Sequence, residues 1–146
     1  MKVAFGCDHG GYLIKDDIIS HLRFKGFELL DCGTDSSQSC DYPDIAKTVC
    51  ENVVSGNCDC GVLICGTGIG MSIAANKMRG IRAAVVNDPY CAGLARQHND
   101  ANVITIGARV VGLDVAKMIL DEYFNAEFLG VHHKKRIDMI MDMETK

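Results

Sequence analysis

The sequence predicts a three-layer α/β/α fold built on a five-stranded parallel sheet. Short apolar runs alternate with amphipathic stretches along the whole chain, as in strands joined by crossover helices. Residues 61–65 (GVLIC) are an uninterrupted apolar run of strand length, which is typical of the centre of a parallel sheet covered on both faces. Glycine, cysteine and histidine residues follow directly after predicted strands, where open α/β sheets bind their ligands.

The first four predicted elements occupy residues 2–54. Residues 2–6 form a short apolar strand, and residues 12–25 repeat apolar side chains every three or four positions until Gly26 ends the helix. Residues 27–31 form the second strand. The next helix spans residues 43–54 and begins at a proline, which the first helical turn tolerates because its N–H has no helical partner.

Seven elements follow in the second half of the chain. Asp88 is a predicted N-cap, since Pro89 suits the first helical position directly after it. The elements are a strand at 61–65, a helix at 69–78, a strand at 82–86, a helix at 89–98, a strand at 103–107, and helices at 113–124 and 132–143. Together the eleven elements predict a Rossmann-like arrangement in a single domain over residues 1–146.

Composition limits the class of protein. Hydrophobic residues make up 48% and charged residues 23%, as in water-soluble globular proteins. Fifteen Lys and Arg against nineteen Asp and Glu give a net charge of −4, which argues against the dense basic surface that nucleic-acid binding needs. The chain lacks an apolar run of membrane-spanning length and opens on a strand rather than a signal peptide. We therefore expect a cytoplasmic protein with no membrane or nucleic-acid partner.

Eight cysteines raise the alternatives of a disulfide framework or a metal site. The strong apolar core pattern and the absence of a signal peptide favour reduced thiols. Cys58 and Cys60, with Cys65 nearby, are the candidate metal ligands, but no second ligand pair follows at zinc spacing. We therefore predict no metal and no cofactor.

The segment 65–70 (CGTGIG) is the most informative part of the sequence, because it follows the third strand and opens a helix. Its alternating glycines permit a tight turn with bare N–H groups, which together with the helix dipole form a pocket for negative charge. A plain tight turn is the alternative. A dinucleotide site is disfavoured because Met71 stands where the fingerprint needs its third small residue.

Cys65 lies at the mouth of this predicted anion pocket. The N–H groups that attract an anion should also stabilise its thiolate, which makes Cys65 a candidate base or nucleophile rather than an ordinary buried cysteine. Asp8 and His9 follow the first strand, where they are placed for hydrogen bonding or acid–base chemistry.

The remaining candidates are less well placed. His98 lies at the end of a helix before the fifth strand, so topology alone puts it at the opposite end of the sheet from the ligand. Arg109 follows the fifth strand, and His132 and Arg136 are four residues apart on one helical face. Such a basic face is usually solvated, and it matters here if a neighbouring subunit brings it to the pocket.

Several of these motifs, in the same order, resemble the type B ribose-5-phosphate isomerases, a family that also includes galactose- and allose-6-phosphate isomerases. The resemblance extends from residue 2 to about residue 136 and is carried by 6–11 (GCDHGG), 41–43 (DYP), 65–70 (CGTGIG), 74–77 (AANK) and 96–103 (RQHNDANV). It implies a homodimer or a dimer of dimers, with active sites at the subunit interface. The implied reaction interconverts D-ribose 5-phosphate and D-ribulose 5-phosphate through a cis-enediolate, within the pentose phosphate pathway.

The resemblance also implies roles for individual residues. Cys65 is the base that moves the proton between C2 and C1, and Thr67 assists proton exchange between O1 and O2. His98 opens the furanose ring with Asp8 as its partner at the ring oxygen. The implied substrate-binding residues are Gly66, Gly68, Ile69, Gly70 and Asn99 for the sugar, and His9, Tyr42, Arg109, His132 and Arg136 for the phosphate.

The sequence departs from the family at one phosphate ligand, since His132 stands where members with a cysteine base often have arginine. Another branch of the family uses a glutamate base at the position of Met71, so the cysteine branch fits this chain. Three alternatives remain: an isomerase of a hexose phosphate, a non-catalytic sugar-phosphate sensor, and a redox or metal role for the cysteines.

Overall fold

A computed structural model describes residues 1–145, and its centre is one five-stranded sheet. The strands are β1 Lys2–Cys7, β2 Glu28–Asp31, β3 Cys60–Cys65, β4 Ala83–Val85 and β5 Val103–Gly107. Their order across the sheet is β2-β1-β3-β5-β4, and every neighbouring pair is parallel. The predicted five-stranded parallel α/β fold is therefore confirmed.

Helices cover both faces of this sheet. They are α1 Lys15–Phe24, α2 Tyr42–Val54, α3 Ile69–Ala75, α4 Pro89–Asn99, α5 Leu113–Asn125 and α6 Val131–Met141, with short 3-10 segments at Tyr12–Ile14 and Asp142–Thr145. Helices α1, α4 and α5 share one buried cluster with the sheet, whereas α2 and α3 share the other. No helix within residues 1–145 is long and apolar enough to cross a membrane.

The three central strands are almost entirely buried. Alternate residues of β1 face opposite layers, because successive side chains of a strand point to opposite sides. Phe5 packs among the residues of the first cluster and Ala4 among those of the second. Burial on both faces explains why β3 is an apolar run without alternation.

Most predicted boundaries lie within a few residues of the observed ones, and α3 is the main exception. This helix ends at Ala75, three residues before the predicted end. The side chain of Asn76 donates to the Ala83 carbonyl at 2.8 Å and accepts from the Ala83 N–H at 2.8 Å. This paired contact ties the end of α3 to the edge strand β4 and competes with further helical turns.

The start of α4 matches the sequence prediction. Asp88 has an extended conformation and its side chain accepts a hydrogen bond from the Cys91 N–H at 2.8 Å. That bond satisfies one of the backbone donors that a helix leaves unpaired in its first turn. It also lowers the pKa of the Asp88 carboxyl, because hydrogen bonds favour the ionised form.

An ion-pair cluster joins α1 to α5 on the outer surface. Asp121 accepts from His21 Nε2 at 2.8 Å and from Lys25 Nζ at 3.1 Å. Partial burial opposes ionisation of Asp121, but the hydrogen bonds and charges of its two partners outweigh burial and lower its pKa. The charged form of this carboxyl therefore stabilises the folded state.

We expect Asp121→Asn to lower the free energy of unfolding at pH 7 by about 0.5–1 kcal/mol, the range of partly exposed ion pairs. A depressed folded-state pKa contributes stability above the ordinary Asp pKa of about 3.9 and loses it as the pH falls through the folded value. Urea titrations of both proteins at neutral and acidic pH should show the difference shrinking in acid. A difference that is constant with pH would contradict this assignment.

Candidate active site

The candidate site lies where the chain changes direction across the sheet. From β1 the chain continues to β2 at one edge, whereas from β3 it continues to β4 at the other edge. Loops that leave adjacent strands toward opposite edges open a crevice at the carboxyl ends, which is the usual ligand position in such sheets. The crevice between β1 and β3 is formed by residues 8–11 and 66–68, as predicted.

The glycine loop after β3 is held tightly by its neighbours. A Cβ on Gly10 would lie 2.7 Å from the backbone nitrogen of Gly66, and one on Gly107 would lie 2.7 Å from the Thr67 Cα. Gly68 has φ +77°, a left-handed conformation that glycine adopts without steric cost. The Gly68 carbonyl accepts from the buried Thr105 hydroxyl at 2.9 Å. These contacts fix the direction of the loop's N–H groups.

Cys65 lies beneath this loop and is only 5% exposed. Its Sγ accepts a hydrogen bond from the Gly68 N–H at 3.1 Å. A backbone donor directed at sulfur stabilises negative charge there, which suits a thiolate base. Sequence reasoning predicted bare N–H groups near Cys65 from the glycine spacing, but not which of them contacts the sulfur.

Three other cysteines are buried in the core. Burial raises the pKa of Cys7, Cys50 and Cys60 to about 12. At neutral pH these residues are therefore uncharged thiols packed in the core. All eight cysteines are free, and residues 1–145 contain no group of three or more His, Cys, Asp or Glu side chains placed to hold a metal ion.

Asp8 shapes the loop after β1 from a position that is 5% exposed. Its Oδ1 accepts from the N–H groups of Gly10 at 2.8 Å and Gly11 at 3.3 Å. Its own N–H donates to the Ile64 carbonyl at 3.1 Å, which anchors the loop to β3. The carboxylate therefore lies in the crevice near the Cys65 loop.

Two predicted substrate-binding side chains, Tyr42 and Arg109, contact the same loop, and a third, His9, contacts the segment that precedes α2. His9 Nδ1 accepts from the Cys40 N–H at 3.3 Å, so in the neutral ring the proton lies on Nε2. The Tyr42 ring lies against Gly70, where a Cβ would come within 2.7 Å of Cζ. The exposed Arg109 extends past Gly66, with Nη1 3.4 Å from the position of a Cβ there. One cation, Arg109, and the Tyr42 hydroxyl thus border the predicted anion pocket.

The rest of the predicted site lies at the other end of the sheet. Within β3 and β5, Cys65 pairs with Gly107 and Gly61 with Val103, and His98 and Asn99 end α4 just before β5 begins. Four strand residues separate these levels, or roughly 13 Å. The topological expectation for His98 is therefore confirmed within one chain.

His98 is joined there by α6. Its ring stacks on that of His133, with centroids 4.2 Å apart and planes at 8°. Burial and the nearby positive charges of His98, Arg136 and His132 lower the pKa of His133. His133 was not among the predicted site residues, although the sequence places it between two that were, His132 and Arg136. The pairing of rings needs the packing of α6 on α4, which local patterns do not reveal.

The volume of a cavity does not identify the candidate active site in this protein. A cavity of about 580 Å³ lies at the amino ends of the strands, lined in part by Met1, Asp59, Arg96 and Phe128. None of the predicted site residues lines it. The converging backbone donors, the buried thiol and the flanking cation identify the crevice at the carboxyl ends more specifically than volume does.

Comparison with known proteins gives consistent matches over nearly the whole chain. A family model described as Ribose/Galactose Isomerase matches residues 3–140. Ribose-5-phosphate isomerase B of Escherichia coli is 51% identical over 145 residues, covering 99% of this chain and 97% of that protein. D-erythrulose-4-phosphate isomerase of Pectobacterium atrosepticum is 40% identical, covering 96% and 93%. The solved structure of ribose-5-phosphate isomerase B from Clostridium thermocellum has a TM-score of 0.98 at 50% identity, covering 99% and 98%.

We expect Gly70→Ala to displace the Tyr42 ring, because the new methyl group would lie 2.7 Å from Cζ. NMR shifts of the Tyr42 ring and urea unfolding would measure the effect. Gly93→Ala in α4 is the matched control, since nothing lies within 4 Å of its Cβ position. The control should gain about 0.5–1 kcal/mol from helix propensity, and Gly70→Ala should gain less. An unmoved Tyr42 with equal gains would contradict this account.

Proposed function

The chain belongs to the ribose/galactose isomerase family, and we propose that it interconverts D-ribose 5-phosphate and D-ribulose 5-phosphate. The observation that carries this proposal is the hydrogen bond from the Gly68 N–H to Cys65 Sγ at the mouth of the glycine loop. A positioned base and a row of backbone donors are what a proton transfer through an enediolate requires, and Cys65 and the glycine loop can supply them. The 51% identity to an Escherichia coli enzyme of this name supports the substrate.

The reaction moves one proton between adjacent carbons. The Cys65 thiolate takes the proton from C2 of the open-chain aldose, and the electron pair of the C–H bond enters the C1–C2 bond to form a cis-enediolate. The Gly66–Gly70 amides stabilise the oxygen that gains negative charge. The exposed Thr67 hydroxyl exchanges the proton between O1 and O2. The Cys65 thiol then returns its proton to C1, which gives the ketose.

The phosphate is anchored by the groups that border the loop. His9 donates through Nε2, since Nδ1 already accepts the Cys40 N–H. Arg109 supplies a fixed positive charge beside Gly66, and Tyr42 supplies a hydroxyl. A net charge of −4 makes such local cations important, because the chain as a whole repels anions.

We propose that the site is completed by a second copy of the chain in a homodimer. Within one chain, His98 and Asn99 precede the start of β5, whose first residue lies roughly 13 Å along the strands from the level of Cys65. A partner's α4 and α6 would bring His98 for ring opening beside Asp8, Asn99 for sugar hydroxyls, and His132 and Arg136 for the phosphate. Exposed Ile69 and Ile73 next to the loop support burial of this face against another protomer.

The second candidate substrate is a tetrose phosphate, which one relative supports by its name. D-erythrulose-4-phosphate isomerase of Pectobacterium atrosepticum is 40% identical to this chain. The same proton transfer serves both sugars, because the reacting C1–C2 unit is unchanged. We also propose that the protein is cytoplasmic, which its eight free thiols support. Its place would be in the pentose phosphate pathway.

We expect Cys65→Ser to lower kcat for ribose 5-phosphate by about 10²–10⁴-fold, because the base is lost while the shape of the side chain is kept. Turnover of ribose 5-phosphate and erythrose 4-phosphate would measure it, with EDTA having no effect. Cys91→Ser, at an exposed position on α4, is the control and should keep full activity. An active Cys65→Ser enzyme would refute the assignment of the base.

The shared site predicts complementation between two impaired variants. Cys65→Ala should lose activity alone, and His98→Ala should keep only the residual turnover that spontaneous opening of the furanose ring allows. After mixing, unfolding and refolding, about a quarter of wild-type activity should return. Half of randomly assembled dimers are hybrids, and each hybrid holds one intact site of two. Failure to recover activity, with hybrids detected by mass spectrometry, would show that the two residues do not serve one shared site.

A further inference from the structure

The residue that follows α4 has an unusual, left-handed backbone conformation. His98 and Asn99 end the helix, and Asp100 follows with φ 44° and ψ 42°. Aspartate tolerates this left-handed conformation better than most side chains, although glycine is the common choice. The carbonyl groups at such a helix end have no helical partners and need donors from elsewhere.

Arg82, just before β4, supplies those donors. Its Nε donates to the Asn99 carbonyl at 3.2 Å and to the Asp100 carbonyl at 3.0 Å. Its Nη2 donates to the same Asp100 carbonyl at 2.7 Å and to Asp100 Oδ2 at 3.0 Å. The Arg82 N–H in turn donates to Asn102 Oδ1 at 2.8 Å. The guanidinium therefore donates hydrogen bonds to both the backbone and the side chain of the turn. We call this set of hydrogen bonds between Arg82 and residues 99–102 the clamp.

Two further contacts extend this clamp. Arg96 Nη1 donates to Asp100 Oδ1 at 2.5 Å, so the carboxylate lies between two guanidinium groups. Arg82 Nη1 approaches Met141 Sδ at 3.6 Å, at the end of α6. Helix α6 also carries His133, whose ring stacks on His98. Arg82 thus contacts β4, the end of α4 and the end of α6 together, with its side chain 18% exposed.

We propose that Arg82 is a positioning residue for His98, and that it acts by holding the Asp100 turn at the end of α4. The inference rests on the proposed function, in which His98 opens the furanose ring. Arginine suits this task because its planar guanidinium spans two carbonyls and a carboxylate, which a lysine ammonium cannot reproduce. Asp100 rather than glycine suits the turn because its carboxylate gives the clamp a second point of attachment.

The clamp should affect ring opening more than proton transfer. Ribose 5-phosphate exists mainly as a furanose and needs the ring opened before Cys65 can act. Erythrose 4-phosphate carries its phosphate on O4, so its aldehyde has no hydroxyl with which to close a five-membered ring. A loosened His98 should therefore slow turnover of the pentose and spare the tetrose.

The test compares Arg82→Lys and Asp100→Asn with wild type on both sugars. Lysine keeps the charge, and asparagine tolerates the left-handed turn, so both variants should fold. We expect kcat for ribose 5-phosphate to fall about 10- to 100-fold, as small misplacements of catalytic groups cause. For erythrose 4-phosphate we expect a change of less than about threefold.

Asp121→Asn is the matched control. Asp121 is 30% exposed and accepts from two basic side chains, much as Asp100 is 29% exposed between two arginines. It lies between α1 and α5, away from His98. The control should lose some stability while the ratio of the two activities stays at the wild-type value.

A double-mutant cycle gives a second readout on ribose 5-phosphate alone. If Arg82 acts through His98, Arg82→Lys should cost almost nothing further in a His98→Ala background. Equal losses on both sugars, or additive losses in the cycle, would overturn the inference and leave Arg82 as a support of the fold. If wild type does not convert erythrose 4-phosphate, the double-mutant cycle on ribose 5-phosphate tests the inference by itself. Wild type that converts neither sugar would overturn the proposed function and this inference with it.

Discussion

The candidate site depends on close contact between backbones at the carboxyl ends of three neighbouring strands. The turn after β1 lies against Gly66, and Gly107 at the end of β5 lies against Thr67, in both places too close for a Cβ. Because the obstructing atoms are backbone, a side chain there could not be accommodated by a change of rotamer. Glycine at positions 10 and 107 allows this close packing around the loop, in which the Gly68 N–H lies 3.1 Å from Cys65 Sγ.

The strand order turns this contact into a ligand site. Since β1 and β3 are neighbours whose chains depart in opposite directions, their loops part and leave a crevice between them. The flanking groups come from elements that converge on the same edge: His9 after β1, Tyr42 at the start of α2 and Arg109 after β5. Topology thereby brings the buried thiol of Cys65, the backbone donors of the glycine loop and the Arg109 guanidinium to the same edge of the sheet.

The same topology separates the other half of the proposed chemistry. His98 precedes β5, so it lies at the amino end of the sheet, whereas the glycine loop lies at the carboxyl end. The proposed symmetric dimer would resolve this separation, because each chain could contribute one half to each of two identical sites. Rigidity of the α4 end then matters, since the offered half has to meet the other across an interface. The contacts of Arg82 with Asp100 supply such rigidity.

Local sequence patterns were enough to predict the order of strands and helices and the glycine loop directly after Cys65. These features depend on residues close together in the sequence: the periodicity of apolar residues, the conformations that glycine and proline favour, and the capping residue Asp88. Three features became visible only in the folded chain: α3 ends at Ala75, His133 rather than His132 stacks on His98, and Arg82 binds the turn after α4. Each of these features depends on contacts between separate elements. Packing and strand order bring those elements together, and no local sequence pattern predicts such contacts.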